Sequence, residues 1–131
     1  MTDLITERNR ELIQAIYDAA VAGDMAAVLE RLADDVVIHE PAFLPYGGVY
    51  RGKEAFGDLL GKIAKTYDMT KIRADYLVAD GERVIGLLRM PDLVTGEDVV
   101  LAEESVVRDG KVVQMTIFVH DAQSLISAPR I

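Results

Sequence analysis

Two Asp-Gly dipeptides constrain the fold of this chain more than any other feature of its sequence. Asp80-Gly81 and Asp109-Gly110 each separate two segments that are rich in β-branched and aliphatic residues. A two-residue hairpin turn needs positive φ angles, which glycine and aspartate adopt more readily than most residues. This pattern predicts antiparallel strands in the second half of the chain, at residues 70–79, 83–90, 98–108 and 111–120, joined by short turns.

The first half of the chain follows a helical pattern instead. Apolar residues recur at intervals of three and four over residues 2–22, 24–32 and 53–67, and the third segment has the clearest stripe. Asp34-Asp35 is expected to stop the second helix. A short strand is predicted at 36–40, followed by a loop over 42–50. Helices followed by antiparallel strands favour an α+β fold over a doubly wound parallel sheet.

Length and charge limit the classes of protein that this chain can represent. Its 131 residues fit a single domain over residues 1–131. A net charge of −8 with scattered basic residues disfavours binding to nucleic acid and to anionic membranes. No apolar run approaches the roughly 20 residues of a membrane span. The N-terminal residues lack the pattern of a signal peptide, so a cytoplasmic location is expected.

Several short motifs occur in an order that resembles a known superfamily. They are Ala22-Gly23-Asp24, Leu32-Ala33-Asp34-Asp35-Val36, Glu40-Pro41, the run from Tyr50 to Phe56, and the late hairpin from Arg108 to Val113. Together they resemble the nuclear transport factor 2-like fold and, within it, the SnoaL-like proteins and relatives of ketosteroid isomerase. The resemblance covers nearly the whole chain.

The resemblance implies a cone-shaped domain in which a curved mixed or antiparallel sheet wraps three helices and encloses an apolar pocket. It also implies a homodimer that forms through the outer face of the sheet. The superfamily contains isomerases, cyclases, dehydratases, epoxide hydrolases and non-catalytic proteins. Fold membership therefore leaves the function open.

Glu40 is the first candidate catalytic residue. On a strand, Ile38 and Glu40 share one face, so a core-facing Ile38 would turn Glu40 into the pocket. Loss of water raises the pKa of a carboxyl group, as general acid–base catalysis requires. The resemblance implies the same role, because the isomerase relatives carry their proton-shuttling carboxylate just before a proline at this strand end. The alternative is a solvated glutamate at a strand end.

Glu104 is the second candidate. It falls near the position where the isomerase relatives place a protonated carboxylic acid that donates to a developing oxyanion. Strand alternation puts Glu103 and Glu104 on opposite faces, and both faces are largely apolar, so either glutamate can be the inward one. A one-residue bulge would exchange them. The alternative role for Glu104 is an ion pair or a polar contact on a dimer face.

Asp121 is the third candidate, since an acid just after the last strand resembles the proton-transfer aspartate of SnoaL-type cyclases. It is an equally good cap for a C-terminal helical turn. His39 and His120 fall on the strand faces opposite to Glu40 and Asp121, towards the outer face, unless a bulge turns them into the pocket. No close histidine spacing indicates a metal site, and none is predicted.

Aromatic and aliphatic residues around these acids are the predicted substrate contacts. Tyr17 lies on the buried face of the first helix, although the substrate-binding tyrosine of the isomerase relatives aligns with Ile16, one position away. A core tyrosine is the alternative. The loop after Glu40 is unusually apolar and is predicted to be a pocket lid or to be clamped on the core or on a partner. The predicted binding residues are Tyr17, His39, Phe43, Tyr46, Phe56, Leu60, Met115, Val119 and His120.

These residues favour an enzyme that uses acid–base chemistry on a small, mostly apolar molecule, of the isomerase, cyclase or dehydratase type. No cysteine, phosphate-binding loop, nucleophile elbow or dinucleotide fingerprint is present, and no cofactor is expected. Two alternatives remain open: a non-catalytic binder of a small hydrophobic ligand, and a dimeric module that binds a partner.

Overall fold

The computed structural model describes residues 3–127, apart from the side chains of residues 124 and 127. Its helices are α1 (Leu4–Val21), α2 (Met25–Glu30), α3 (Gly52–Thr66) and α4 (Gln123–Ser127), with a 3₁₀ turn at Met69–Lys71. Its strands are β1 (Leu32–Glu40), β2 (Gly48–Arg51), β3 (Arg73–Asp80), β4 (Arg83–Pro91), β5 (Asp98–Arg108) and β6 (Lys111–Val119).

The six strands form one mixed sheet in the order β2-β1-β6-β5-β4-β3. Neighbouring strands are antiparallel except β1 and β6, which run parallel. Helix α1 packs on β3 and β4, and α3 packs on β1 and β2, so that the helices cover one face of the sheet. The predicted α+β architecture is confirmed.

Both predicted hairpins are present, but the first turn consists of Gly81 and Glu82, because Asp80 is the last residue of β3 and pairs with Arg83. Gly81 has a φ of 60°, and Asp109 and Gly110 have φ angles of 53° and 75°. The first hairpin also fixes the start of α1: Asn9 Nδ2 donates to Gly81 O at 2.8 Å, and Gly81 N donates to Thr6 Oγ1 at 2.8 Å. These contacts set the position of α1, and with it Tyr17, over the inner face of the sheet.

Two local predictions were wrong. Asp34-Asp35 does not stop a helix: α2 ends at Glu30, and the two aspartates lie inside β1. The register of β1 on β6 shifts between Leu32 and Val37, and both aspartates are exposed there, so strand pairing is compatible with their charge. Strand β2 was missed because its four residues, Gly48–Arg51, follow a glycine- and proline-rich loop.

The inner face of the sheet and the helices share one hydrophobic core. Ile13, Val36, Leu59, Val84 and Val112 are among its most deeply buried members. Among the described helices, none is both long and apolar enough to span a bilayer. The cytoplasmic location stays a prediction of the sequence.

Candidate active site

An apolar cavity lies between the helices and the inner face of the sheet. Its volume is about 90 Å³. Aliphatic residues and methionines from every layer of the domain form most of its wall. The polar side chains that line it are Tyr17, Glu40, Tyr46, Tyr67 and Glu103.

Glu40 reaches the cavity from the end of β1. Ile38 is buried on the same face of this strand, as the alternation predicted. Glu40 is 8% exposed, and its Oε1 has no hydrogen-bond partner among the described residues. Burial raises the pKa of Glu40 from its ordinary value of 4.5 to about 8, and the nearby Glu103 carboxylate contributes to the rise. This carboxyl group is therefore protonated over much of the neutral range.

Glu103 enters the same cavity from the middle of β5. It pairs with Gly86 on β4 and Ile117 on β6, and its Oε1 is buried without a partner in the described part of the chain. Burial raises the pKa of Glu103 to about 7, while the Tyr17 hydroxyl opposes that rise. Two carboxyl groups thus share one poorly solvated space and titrate near neutral pH.

Tyr17 completes the group from α1. Its ring lies against Gly86, where a Cβ atom would come within 2.6 Å of Tyr17 Oη, so only glycine leaves room for the phenol. Because Gly86 pairs with Glu103, the hydroxyl is held beside that carboxyl. No hydrogen bond of ordinary geometry within the described residues satisfies Tyr17 Oη, yet burial and Glu103 raise the pKa of Tyr17 well above its usual value. The phenol stays protonated and can donate.

Glu104 and Asp121 were predicted to be catalytic residues in the pocket, but both lie outside the cavity. Glu104 is on the opposite face of β5 from Glu103, where its Oε1 accepts from Arg83 Nη1 at 3.1 Å. Asp121 is exposed, and its Oδ1 accepts from Gln123 N at 3.0 Å at the start of α4. Strand β6 ends at Val119, so the alternation that pointed Asp121 inward no longer applies two residues later.

Four predicted binding residues also lie outside the cavity lining. His39 is on the outer face of β1, between Val49 and Thr116, and His120 is exposed beyond the end of β6. Phe43 is 59% exposed, and Val119 is half-buried at the edge of the core. The other five do line it: Tyr17, Tyr46, Phe56, Leu60 and Met115.

The loop after Glu40 contributes Tyr46 to the lining of the cavity. It makes two successive turns, in which Leu44 N donates to Pro41 O at 3.1 Å and Gly47 N donates to Leu44 O at 2.9 Å. A Cβ atom at Gly47 would lie 2.2 Å from Pro41 O, so glycine is needed to close the loop. Tyr46 is buried, and its hydroxyl hydrogen-bonds to that of Tyr67. Movement of this loop as a lid stays a prediction.

The described residues contain no group of three or more histidine, aspartate or glutamate side chains placed to hold a metal ion. The site instead combines two carboxyl groups and a phenol in an apolar enclosure. Such a set can give and take protons and can donate hydrogen bonds to an oxygen atom.

The SnoaL-like domain family matches residues 13–115 of this sequence. The chain therefore belongs to the SnoaL-like family. A comparison with curated protein sequences found no match.

Solved structures with the same fold include proteins from several bacteria. Bal32a, from a soil-derived mobile gene cassette, is 24% identical with a TM-score of 0.80 over 88% of this chain and 92% of its own. An NTF2-like protein from Burkholderia xenovorans LB400 is 24% identical, with a TM-score of 0.76 over 94% and 96%. A putative SnoaL-like polyketide cyclase from Jannaschia sp. CCS1 is 18% identical, with a TM-score of 0.79 over 98% of both chains. At these identities the likeness shows the nuclear transport factor 2-like fold alone.

Proposed function

We propose that this protein is a cofactor-independent acid–base enzyme for a small, mostly apolar carbonyl compound, of the isomerase or cyclase type. One observation carries the proposal: Glu40 and Glu103 each direct a buried carboxyl oxygen without a described partner into the same apolar cavity. Burying such groups destabilises a protein, so their presence favours a functional role. The similarity in fold to a putative polyketide cyclase is compatible with this chemistry.

The two carboxyl groups supply one acid and one base at neutral pH. With pKa values of about 8 for Glu40 and about 7 for Glu103, the pair holds roughly one proton between these two values. The Tyr17 hydroxyl lowers the pKa of Glu103, so before substrate binds the remaining proton favours Glu40.

Substrate binding reverses this preference in the proposed mechanism. A carbonyl oxygen beside Tyr17 turns the hydroxyl towards the substrate and away from Glu103, whose pKa then rises. The proton moves to Glu103, which donates to the substrate oxygen together with Tyr17. Glu40 is left as the carboxylate that removes a hydrogen from the adjacent carbon and returns it elsewhere. The two donors stabilise the enolate oxygen formed between these steps.

Hydrogen–deuterium exchange next to a ketone tests this function without knowledge of the natural substrate. In D₂O, the wild-type protein is expected to accelerate exchange of the α-hydrogens of 4-methylcyclohexanone over buffer, as followed by ¹H NMR. Glu103→Leu removes an oxyanion donor and is expected to lower the protein-dependent rate by about 10²–10³-fold. The matched variant Glu104→Leu alters the neighbouring residue on the outer face and should stay within about threefold of wild type.

Two results of this experiment would overturn the enzyme proposal. One is a wild-type protein that binds the ketone but does not accelerate exchange, which would indicate a non-catalytic binder. The other is an equal loss of rate in the two leucine variants, which would show that the cavity face of β5 has no special role.

We also propose that the protein is a homodimer that uses the outer face of its sheet. Cross-strand pairing places Tyr76, Leu87, Ala102 and Phe118 side by side across four strands on this face. Tyr76 is 53% and Phe118 is 57% exposed in the single chain. A row of apolar side chains this long is typical of a surface that is covered in the working protein.

A charge on this face is expected to separate the dimer. Phe118→Glu should shift the mass measured by light scattering after size-exclusion chromatography from two chains to one. Phe43→Glu is the matched control, because Phe43 is equally exposed but lies on the loop after β1. A monomeric wild-type protein, or dissociation by both variants, would contradict the assignment of the interface.

A further inference from the structure

Helix α3 carries two glycines in its interior, Gly57 and Gly61, one helical turn apart. Glycine in a helix interior is less favourable than alanine by about 1 kcal/mol. Neither residue has the positive φ that requires glycine. Neither faces a crowded neighbour, since a Cβ atom at either position would meet nothing within 4 Å. Backbone strain and internal packing therefore leave both glycines unexplained.

Both glycines line an apolar groove outside the cavity. The groove runs between the end of α1, the start of α2 and the middle of α3. Ala20, Leu60 and Met69 line both the groove and the cavity, so the two adjoin at these residues. Met69 has an unbranched side chain that can adopt another rotamer at this junction.

The adjoining cavity contains polar atoms that indicate a ligand independently of the glycines. Glu40, 8% exposed, turns an oxygen without a described partner into it, and the Tyr17 hydroxyl does the same. No lysine, arginine or histidine is present among the described residues that line the cavity or the groove. A ligand with an anionic tail would find no counter-charge there, whereas an uncharged apolar tail fits.

We propose that the cavity and the groove form one continuous site for an uncharged ketone with an extended apolar tail. The carbonyl oxygen lies among Tyr17, Glu40 and Glu103, and the tail leaves the cavity past Met69 and lies over Gly57 and Gly61. The two glycines keep the floor of the groove low enough for the tail. This inference rests on the proposed function for the position of the carbonyl group.

Binding of 4-n-alkylcyclohexanones, from methyl to hexyl, tests the inference. Burial of a methylene group strengthens binding about three- to fourfold, so wild-type affinity should rise about 10²–10³-fold across the series. Gly61→Leu fills the groove and should leave affinity for the methyl compound within about twofold while weakening that of the hexyl compound at least tenfold. Asp58→Leu places a leucine side chain at an exposed position of α3 outside the groove and should behave as wild type.

The readouts separate failure of this inference from failure of the proposed function. Affinities come from NMR titrations at pH 6, and thermal unfolding checks that both leucine variants fold. A flat chain-length series, or one that Gly61→Leu leaves unchanged, overturns the groove assignment. A change of oligomeric state in Gly61→Leu alone would assign the groove to a second copy and also overturn it. In a further outcome, affinity depends on chain length in wild type but not in Gly61→Leu, and wild type does not exchange α-hydrogens. That outcome supports the extended site and rejects catalysis.

Discussion

Replacing Glu40 with glutamine is expected to lower protein-dependent α-hydrogen exchange in 4-methylcyclohexanone by about 10²–10⁴-fold, the usual contribution of a general base. Glutamine has nearly the same shape but cannot accept a proton at neutral pH. The cavity should remain intact, so affinity for the ketone is expected to change by less than about threefold. Exchange rates and affinities are measured by NMR on the same samples.

Glu40→Asp is the control for this prediction. Aspartate keeps the acid but is shorter by one methylene, so it should restore part of the rate that glutamine loses. A glutamine variant that exchanges the ketone at the wild-type rate would remove Glu40 from the mechanism. A glutamine variant that no longer binds the ketone would show instead that Glu40 acts in binding.

Raising the pH from 5 to 9 is expected to destabilise the wild-type protein. The pKa of Glu40 is about 8 and that of Glu103 about 7 in the folded state, against 4.5 for each in an unfolded chain. Between these values the folded state holds more protons than the unfolded state, so the free energy of unfolding falls as the pH rises. A pKa change from 4.5 to about 8 at Glu40 alone corresponds to a loss on the order of 5 kcal/mol.

Urea unfolding at pH 5 and pH 9 measures this effect. Glu40→Gln should flatten the dependence and make the protein more stable than wild type at pH 9, because the buried group no longer ionises. Glu104→Gln is the matched control and should keep the wild-type dependence. Equal slopes in wild type and Glu40→Gln would show that Glu40 is well solvated. Glu82 and Asp68 have lowered pKa values and act in the opposite sense, in acid below this range.

The exchange and unfolding measurements on Glu40→Gln together test whether the buried acid lowers stability while it supports activity. A variant that is both more stable and less active is expected when a protein buries an ionisable group for chemistry. Glu40→Gln is predicted to be such a variant, whereas exchange of an ordinary surface glutamate should change neither property much.

Most of the fold could be predicted because its signals are local. The turns at Gly81 and at Asp109-Gly110 need positive φ angles that few residues adopt, and these residues can be read directly from the sequence. The stripe of α3 is equally clear. Asp34-Asp35 was misjudged because charged residues can end a helix or occupy an exposed irregularity in a strand, and only pairing with β6 decides between these.

The candidate site was less predictable because it depends on which strand face points inward. The inward direction of Glu40 could be predicted because the apolar Ile38 shares its face of β1, whereas the opposite face carries His39. No such contrast separated Glu103 from Glu104, because β5 has the cavity on one face and an exposed apolar surface on the other. The position of Tyr17 depends on Gly86, which leaves room for its ring. The sequence shows that residue 86 is a glycine, but it does not show that Tyr17 packs against it.

The ¹³C NMR titration of the glutamate carboxyl carbons measures most directly whether these acids lie in a dry cavity. Two coupled transitions with midpoints near 7 and 8 are expected in wild type, and Glu40→Gln and Glu103→Gln should each leave a single transition. Midpoints near 4.5 for both residues, as in water, would contradict this expectation, and the proposed chemistry would have to be abandoned.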